Sequence, residues 1–272
     1  MKLSVLQYHK LHSELRDDQT ITAADFKRQL TILKTNGYNP ISCKNLYDYL
    51  MKIGGLPEKP VLITFDKGYA CQYRDAAPIL EDQGFSAVFF ITAEFVLQSC
   101  CSEGNKTESF MNIEHLKQLG EFGFEIGIHG YINLNFTNSK LQELSSNIVR
   151  SFLLFNRLEL FSTNVLAYPY GEITRVFWKT RRLYKMLKQE KIMLAFSKGN
   201  RVNDLSDTHR FNIHRIEISG QDTEKNFYYE SGGIMELIQL LITIFKWLLI
   251  LTAISMGFLV WAIFSSRGRK KP

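Results

Sequence analysis

The sequence predicts an α/β fold built on a parallel sheet, either open or closed into a barrel. Short apolar runs rich in Val, Ile and Phe are typical of strands buried on both faces. Amphipathic helical patterns lie between these runs, and this alternation indicates βα units whose strands run parallel. The 272 residues suffice for one such domain with a sizeable core.

Six apolar runs are predicted as strands, because each is short and is followed by polar or turn-forming residues. They are Leu3–Leu6, Val61–Phe65, Ala87–Thr92, Phe124–Ile128, Val165–Tyr168 and Leu194–Phe196.

The first helix is predicted over 23–36. Phe26, Leu30 and Leu33 recur at helical spacing, and Gly37 is typical of the residue that ends a helix. Similar patterns predict five further helices. They cover Lys44–Lys52, Ala76–Gln83, Ile113–Glu121, Lys140–Phe155 and Thr174–Lys191.

The charge pattern argues against a nucleic-acid-binding protein. The net charge is +6, but four of the cations belong to the C-terminal tail. A nucleic-acid binder would need a basic stripe interleaved with aromatic residues on one face, and the spacing of the other basic cluster is interpreted instead as one solvated helix face. Its members are Lys179, Arg181, Arg182, Lys185, Lys188 and Lys191. No nucleic-acid partner is expected.

The cysteines give no sign of a zinc site or a disulfide framework. Cys43, Cys71, Cys100 and Cys101 lack the spacing of zinc ligands. Free thiols in a reducing compartment are therefore expected.

The C-terminal region predicts a membrane anchor. No charged residue occurs between Trp247 and Ser266, a stretch close to the ~20 residues that span a bilayer as a helix. We divide the chain into a domain over 1–230, an interfacial connector over 231–246, a transmembrane helix over 247–266 and a basic tail over 267–272. The tail favours an external domain, whereas the N-terminus shows no signal-peptide pattern, and we favour the cytoplasmic face.

Polar clusters follow three of the predicted strands, where a parallel α/β fold places its functional site. Asp66-Lys-Gly-Tyr69 follows Phe65, His129-Gly-Tyr-Ile-Asn133 follows Ile128, and Tyr168-Pro-Tyr-Gly171 follows Ala167.

These segments, in this order, resemble the polysaccharide deacetylases of the NodB-homology type, carbohydrate esterase family 4. The resemblance extends to Val5-Leu-Gln-Tyr-His9, Asp25–Leu30 and Pro78–Thr92. The chain is similar to the branch that de-N-acetylates poly-N-acetylglucosamine. The resemblance implies a distorted (β/α) barrel and a divalent metal held by Asp-His-His, which polarises the acetyl group and activates water.

The resemblance also indicates a degenerate metal site. Asp66 occupies the position of the general base, but the ligand positions hold Lys67, His129 and Asn133. Only His129 matches the family pattern, so no cofactor is expected unless other ligands compensate. The remaining histidines are His9, His12, His115, His209 and His214.

Other residues take their expected roles from the family motifs. Tyr170 would contribute a backbone N–H to an oxyanion hole, and His214 would be the general acid. Aromatic and polar side chains would line a substrate cleft and contact sugar rings. They are Tyr8, His9, Tyr69, Tyr131 and Tyr168.

Taken singly, these residues also have purely structural interpretations. Asp66 could be a helix cap or the salt-bridge partner of Lys67, and His129 a hydrogen-bonded core residue. A further hypothesis places the Lys67 ammonium group in the vacated metal position, where it pairs with Asp66 or a ligand anion.

The leading functional prediction is a membrane-anchored deacetylase-like protein without metal catalysis, acting as a glycan-binding or accessory subunit with a possible partner protein. Its pathway would concern a polysaccharide or glycolipid. The alternative is an active hydrolase of a non-peptide carbon–nitrogen bond that de-N-acetylates or deformylates a lipid-linked or polymeric amino sugar. A third hypothesis is membrane scaffolding through the C-terminal helix alone.

Overall fold

The computed structural model describes residues 1–99, 109–174 and 176–228, together with Gly232 and Leu241. The chain divides into two compact units, Met1–Ser231 and Gly232–Pro272. The helix predicted at 247–266, the basic tail and all but two connector residues lie outside this description. Within the described residues, every helix is too short or too polar to cross a bilayer.

The first unit alternates strands and helices along the chain. Its strands are β1 Lys2–Tyr8, β2 Lys10–His12, β3 Thr20–Thr22, β4 Asn39–Pro40, β5 Pro60–Lys67, β6 Ala87–Ile91, β7 Glu125–Ile128, β8 Val165–Ala167, β9 Leu194–Lys198, β10 Asn203–Asp204 and β11 Ile213–Glu217. Its α-helices are α1 Ala23–Thr35, α2 Cys43–Leu50, α3 Ala77–Gln83, α4 Ala93–Ser99, α5 Ile113–Glu121, α6 Leu141–Arg157, α7 Phe177–Gln189 and α8 Glu224–Tyr228.

Seven parallel strands close into a barrel. Their order is β1-β11-β9-β8-β7-β6-β5, and β5 pairs with β1 to complete the ring. The carboxyl ends of all seven strands therefore meet at one mouth, where functional residues of such barrels lie. The predicted parallel α/β fold is confirmed, and the barrel is the closed form.

All six predicted strands are present, as β1, β5, β6, β7, β8 and β9. The barrel strand that the apolar pattern missed is β11, because three of its five residues, His214, Arg215 and Glu217, are polar. The predicted helices are also found, although α7 begins three residues later than expected, at Phe177.

Strand side chains point alternately into the barrel and toward the helices, and they therefore contribute to two separate apolar cores. Leu3, Val5, Leu62 and Phe90 belong to a cluster inside the barrel, closed from below by residues around α2. The intervening strand residues form the larger cluster with the buried faces of the surrounding helices. Because successive strand side chains point to opposite faces, a residue's position along the strand decides whether it faces the interior.

Helix ends are fixed by local sequence. Thr22 caps α1 through its side chain, and Ser42 forms a capping box with Asn45 at the start of α2. Gly84 ends α3 in the left-handed conformation, with φ +73°.

Candidate functional site

The centre of the candidate site is a carboxylate at the inner face of the barrel. Leu62 faces the barrel interior, and alternate residues of a strand point to the same side. The Asp66 side chain therefore also points into the barrel, near the carboxyl end of β5. Arg215 of β11 donates to both carboxylate oxygens, at 2.5 and 3.0 Å. Gln7 of β1 donates a third hydrogen bond at 2.8 Å. The carboxylate thus links three strands at the mouth.

The Asp66 carboxylate remains ionised despite its burial. Burial raises its pKa, but the guanidinium group of Arg215 and the nearby His129 and His9 outweigh this effect and hold the pKa at about 2. Charge-assisted, two-pronged binding by arginine is among the stronger hydrogen-bonding arrangements in proteins. At neutral pH this side chain is an anion that already accepts three hydrogen bonds.

Two histidines lie beside this anion. His129 follows β7 and His9 follows β1, and both are buried. Burial is the main cause that lowers the pKa of His129, to about 4, with Asp66 opposing and Arg215 reinforcing the shift. Burial likewise lowers the pKa of His9. In each ring Nδ1 has no hydrogen-bond partner among the described residues, and the lowered pKa keeps both imidazoles neutral at pH 7.

Lys67, the residue after Asp66 and the last of β5, departs from the extended backbone conformation of the strand. It has φ +72°, and Gly68 follows with φ +83°. The Lys67 ammonium group lies 3.4 Å from the Tyr69 hydroxyl. It also lowers the pKa of both His129 and His9, which places positive potential beside the two rings. The cation that binds Asp66 is Arg215, so the pairing of Asp66 with Lys67 considered from the sequence is not the contact that forms.

The loop after His129 is shaped by Asn147 of α6. Its side-chain oxygen accepts hydrogen bonds from the N–H groups of Tyr131 and Ile132, at 2.7 and 2.9 Å. Gly130 has φ +90°, and a Cβ atom there would lie 2.8 Å from the Asn147 amide nitrogen. Asn133 follows in the same loop, and its buried Oδ1 has no partner among the described residues.

The donor set at the family's ligand positions does not fit a divalent metal. Lys67 supplies an ammonium group, His129 an imidazole and Asn133 an amide, whereas such metals require deprotonated ligands that offset the charge of the ion. The described residues contain no cluster of three or more His, Cys, Asp or Glu side chains that could hold a metal ion. Asp66 is already bound by Arg215 and Gln7.

Two predicted cleft residues are core residues instead. Tyr8 is 1% exposed, and its hydroxyl donates to Gln29 between the barrel and the helices. Tyr168 is fully buried, and its hydroxyl donates to the carbonyl of Phe211. Their strand positions point them to the outer face, which corrects the expectation that they contact sugar rings.

The remaining predicted aromatic residues differ in accessibility. Tyr69 is mostly buried and stacks on Phe110 at 5.2 Å between ring centroids. Tyr131 is half-buried beneath the guanidinium group of Arg150. Tyr170 is 59% exposed and has φ +61° in the short turn after β8. Of the predicted tyrosines it is the most accessible at the barrel mouth.

His214 lies on the other side of the sheet from Asp66. It precedes the inward-facing Arg215, so it points outward, where its Nδ1 lies 3.2 Å from the Ser197 hydroxyl. Arg201 contacts its other ring nitrogen. It lines an outer cavity of about 830 Å³ with Ser197, Asn212 and Thr180. The structure therefore does not bring the predicted general acid to the predicted base.

The sequence interpretation missed four residues that build the site: Arg215, Gln7, Gln72 and Asn147. Gln72 donates to the carbonyls of His9 and Asp66, each at 2.7 Å, and so joins the ends of β1 and β5. No local apolar alternation marks Arg215, since Ile213 faces the barrel interior whereas Ile216 and Ile218 face the outer core.

The known sequences that are similar to this chain include polysaccharide deacetylases. Residues 54–188 match the family model of polysaccharide deacetylases. YxkH of Bacillus subtilis is 28% identical over 170 residues, which cover 62% of this chain and 57% of that protein. The poly-beta-1,6-N-acetyl-D-glucosamine N-deacetylase of Escherichia coli K12 is 30% identical over 86 residues, 31% of this chain and 13% of that protein. The chain thus spans less than two thirds of these relatives.

Solved structures share the fold. IcaB from Ammonifex degensii has a TM-score of 0.70 at 24% identity, with 85% of this chain and 97% of that chain covered. The deacetylase PplD from Streptococcus pyogenes has the same TM-score at 17% identity, with 85% and 98% covered. At these identities the likeness establishes the barrel architecture.

Proposed function

We propose that the domain whose residues 54–188 match the family model of polysaccharide deacetylases belongs to that family and binds an amino-sugar glycan at its barrel mouth without metal-dependent deacetylation. The observation that carries the proposal is the buried ion pair of Asp66 with Arg215, with Lys67 beside it at a ligand position.

The ion pair makes Asp66 a weak base. A general base works best when its pKa lies near the working pH, whereas Asp66 has a pKa of about 2. Proton transfer to this carboxylate would also weaken the hydrogen bonds from Arg215. Asp66 therefore serves here as the anion that orders the barrel mouth.

The cations of the site oppose a bound dication. Lys67 and Arg215 both lower the pKa of His129 while Asp66 raises it, so two cations contribute positive potential at the ring. A divalent metal at His129 would meet the same potential with no carboxylate at the neighbouring ligand position. A neutral or acetylated sugar, which carries no positive charge, does not meet this repulsion.

The mouth has groups suited to a sugar. Tyr170 presents an exposed ring, and the unpartnered polar atoms of His9, His129 and Asn133 are buried, so a hydroxyl or acetamido group would reach them only after side-chain movement. An accessible aromatic face with a few convergent polar groups is the usual composition of a small-molecule site.

Titration calorimetry with N-acetylglucosamine oligomers tests the binding proposal. We expect saturable binding, weakened about tenfold by Tyr170→Ala because a ring contact is lost. Phe161→Ala is the matched control, since Phe161 is 88% exposed away from the barrel mouth. No binding, or equal loss in both variants, would contradict the proposal.

Restoring the ligand set tests the metal argument. The double variant Lys67→Asp and Asn133→His would have one carboxylate and two imidazoles at the family positions. We expect it to bind one zinc ion per chain, measured by mass spectrometry, while the unmodified protein does not. Equal zinc content in both proteins would show that other ligands already hold the ion.

One observation favours the alternative of an active amide hydrolase acting on a lipid-linked or polymeric amino sugar. His9 and His129 are both buried near Asp66 and both have an unpartnered Nδ1. His9 is the histidine that would have to compensate, because His12, His115 and His209 make contacts elsewhere. Loss of any acetate-releasing activity in His9→Asn would favour this alternative.

We also propose that residues 247–266 anchor the domain to a membrane, with the domain on the cytoplasmic face. The supporting observation is the uncharged sequence between Trp247 and Ser266. Alkaline extraction should leave the full chain in the membrane fraction, and protease added to intact cells should spare the domain. Extraction into the soluble fraction would contradict the anchor, and cleavage in intact cells would contradict the orientation.

A further inference from the structure

The exposed surface of α7 has a composition unlike that of an ordinary solvated helix. Phe177 and Trp178, at its first turn, are 75% and 66% exposed. Solvated helix faces are normally polar, and adjacent bulky apolar side chains on the surface commonly mark interaction sites. A solvated basic face was expected for this helix from its sequence, and the two exposed rings require a further explanation.

The same surface is strongly cationic. Arg181, Arg182, Lys185 and Lys188 follow the two rings, and α7 contains no Asp or Glu. All four cations are exposed, and none forms an ion pair with an acidic side chain in the part of the chain that the structure describes. The six residues Phe177, Trp178, Arg181, Arg182, Lys185 and Lys188 are called the α7 face below.

The α7 face borders a groove of about 700 Å³ that has no acidic residue in its lining. Tyr184 and His209 line the groove, and their rings stack at 4.3 Å between ring centroids. On the opposite side of the helix, Leu183 and Leu187 are buried in the outer core. The α7 face is therefore held outward by the fold.

We propose that the α7 face lies against an anionic lipid membrane. Tryptophan and phenylalanine favour the boundary between headgroups and acyl chains, and lysine and arginine are attracted to anionic headgroups. A membrane is favoured over other polyanions because the uncharged segment 247–266 of the same chain predicts that a bilayer is nearby. This inference rests on the proposed membrane anchor and does not depend on glycan binding or on catalysis.

Fluorescence of Trp178 in the full-length protein tests this inference. The chain has three tryptophans, so Trp247→Phe and Trp261→Phe leave Trp178 as the reporter. The protein is reconstituted into vesicles of brominated phosphatidylcholine, with or without phosphatidylglycerol. We expect bromine quenching and a blue shift of Trp178 only when phosphatidylglycerol is present, both weakening as salt is added.

Variants that remove charge test whether the cations of the α7 face cause the quenching of Trp178. Replacing Arg181, Arg182, Lys185 and Lys188 by Gln should reduce the quenching to that seen in phosphatidylcholine alone. The matched control removes the same charge elsewhere, through Lys27→Gln, Lys34→Gln, Lys52→Gln and Lys117→Gln, and should retain the quenching. Near-ultraviolet circular dichroism checks that both variants are folded.

Three results would overturn the proposal. Trp178 could be quenched equally in both vesicle types, or remain quenched in the folded α7 variant. A Trp178 that is unquenched in every bilayer but shifts on addition of single-stranded DNA would assign the α7 face to a nucleic acid.

Discussion

Asp66 and Arg215 form an ion pair with side chains that are at most 2% exposed. Removing a charge from water is costly, and the pair offsets this only while both partners are present. Gln7 completes the hydrogen bonding of Asp66. The pair thus explains how a barrel interior lined by Leu, Val and Phe tolerates two full charges.

Replacing Arg215 by Met should lower the free energy of unfolding by about 3–5 kcal/mol, since it leaves a buried carboxylate without its cation. Urea unfolding of the detergent-solubilised protein measures the change. Adding Asp66→Leu should recover most of the loss. The control is Lys198→Met, which removes a partly exposed pair with Glu217 and should change stability by less than about 1 kcal/mol. Equal effects of Arg215→Met and Lys198→Met would refute this account.

His129 should make the protein sensitive to mild acid. Its pKa is about 4 in the folded protein, below the value of about 6.5 for an unfolded histidine. The unfolded chain therefore takes up a proton between these pH values, and the folded protein loses stability as the pH falls from about 6.5 to about 4. The expected loss is on the order of 3 kcal/mol.

Unfolding of the protein at pH 7 and pH 5 measures this dependence. His129→Leu should reduce it, with the remainder due to His9 and the other histidines whose pKa is lowered by burial, whereas His12→Gln, at an exposed position, should leave it unchanged. The same slope in wild type and His129→Leu would assign the acid sensitivity to other groups. Asp66 adds a separate loss between about pH 4 and pH 2, because its depressed pKa stabilises the fold only while it is ionised.

At the scale of elements, helix α2 is tied to the barrel at its N-terminus. Glu125, the first residue of β7, accepts hydrogen bonds from the N–H groups of Cys43 and Lys44, at 2.6 and 3.3 Å. Burial raises the pKa of Glu125, and these N–H groups oppose the shift. The carboxylate satisfies backbone donors that a helix start otherwise leaves unpaired.

Glu125→Ala should lower the free energy of unfolding by about 1–2 kcal/mol, the range found for lost helix caps. Glu114→Ala, in the first turn of α5, is the control and should change it by less than about 0.5 kcal/mol. Chemical unfolding at neutral pH distinguishes them. If the two substitutions have the same effect, the contact between β7 and α2 contributes nothing beyond local helix electrostatics.

Strands and helices with regular apolar patterns were predictable, and those that depend on distant partners were not. The apolar run Val61–Phe65 identifies β5 without further information. In β11, Arg215 is buried only because Asp66 lies opposite it, and these residues are 149 positions apart in the chain. A local pattern contains no sign of such a pairing.

At the scale of the whole molecule, closure of the sheet decides which candidate residues meet. The polar segments after β5 and β7 were correctly expected at one mouth, because parallel strands align their carboxyl ends. The position of each residue along its strand then separates the candidate residues, since the Asp66 side chain faces the barrel interior whereas those of Tyr8 and His214 face outward. Which residues of a strand face the interior depends on how the sheet closes into a barrel, so the sequence motifs alone could not show it.

Acetate release by the full-length protein tests the central claim most directly. The protein is incubated with N-acetylglucosamine oligomers and added zinc, cobalt or nickel, and its metal content is measured in the same sample. The account predicts no bound metal and no acetate above the protein-free control. Stoichiometric metal with acetate release that stops on chelation would contradict it and establish the chain as a metal-dependent deacetylase.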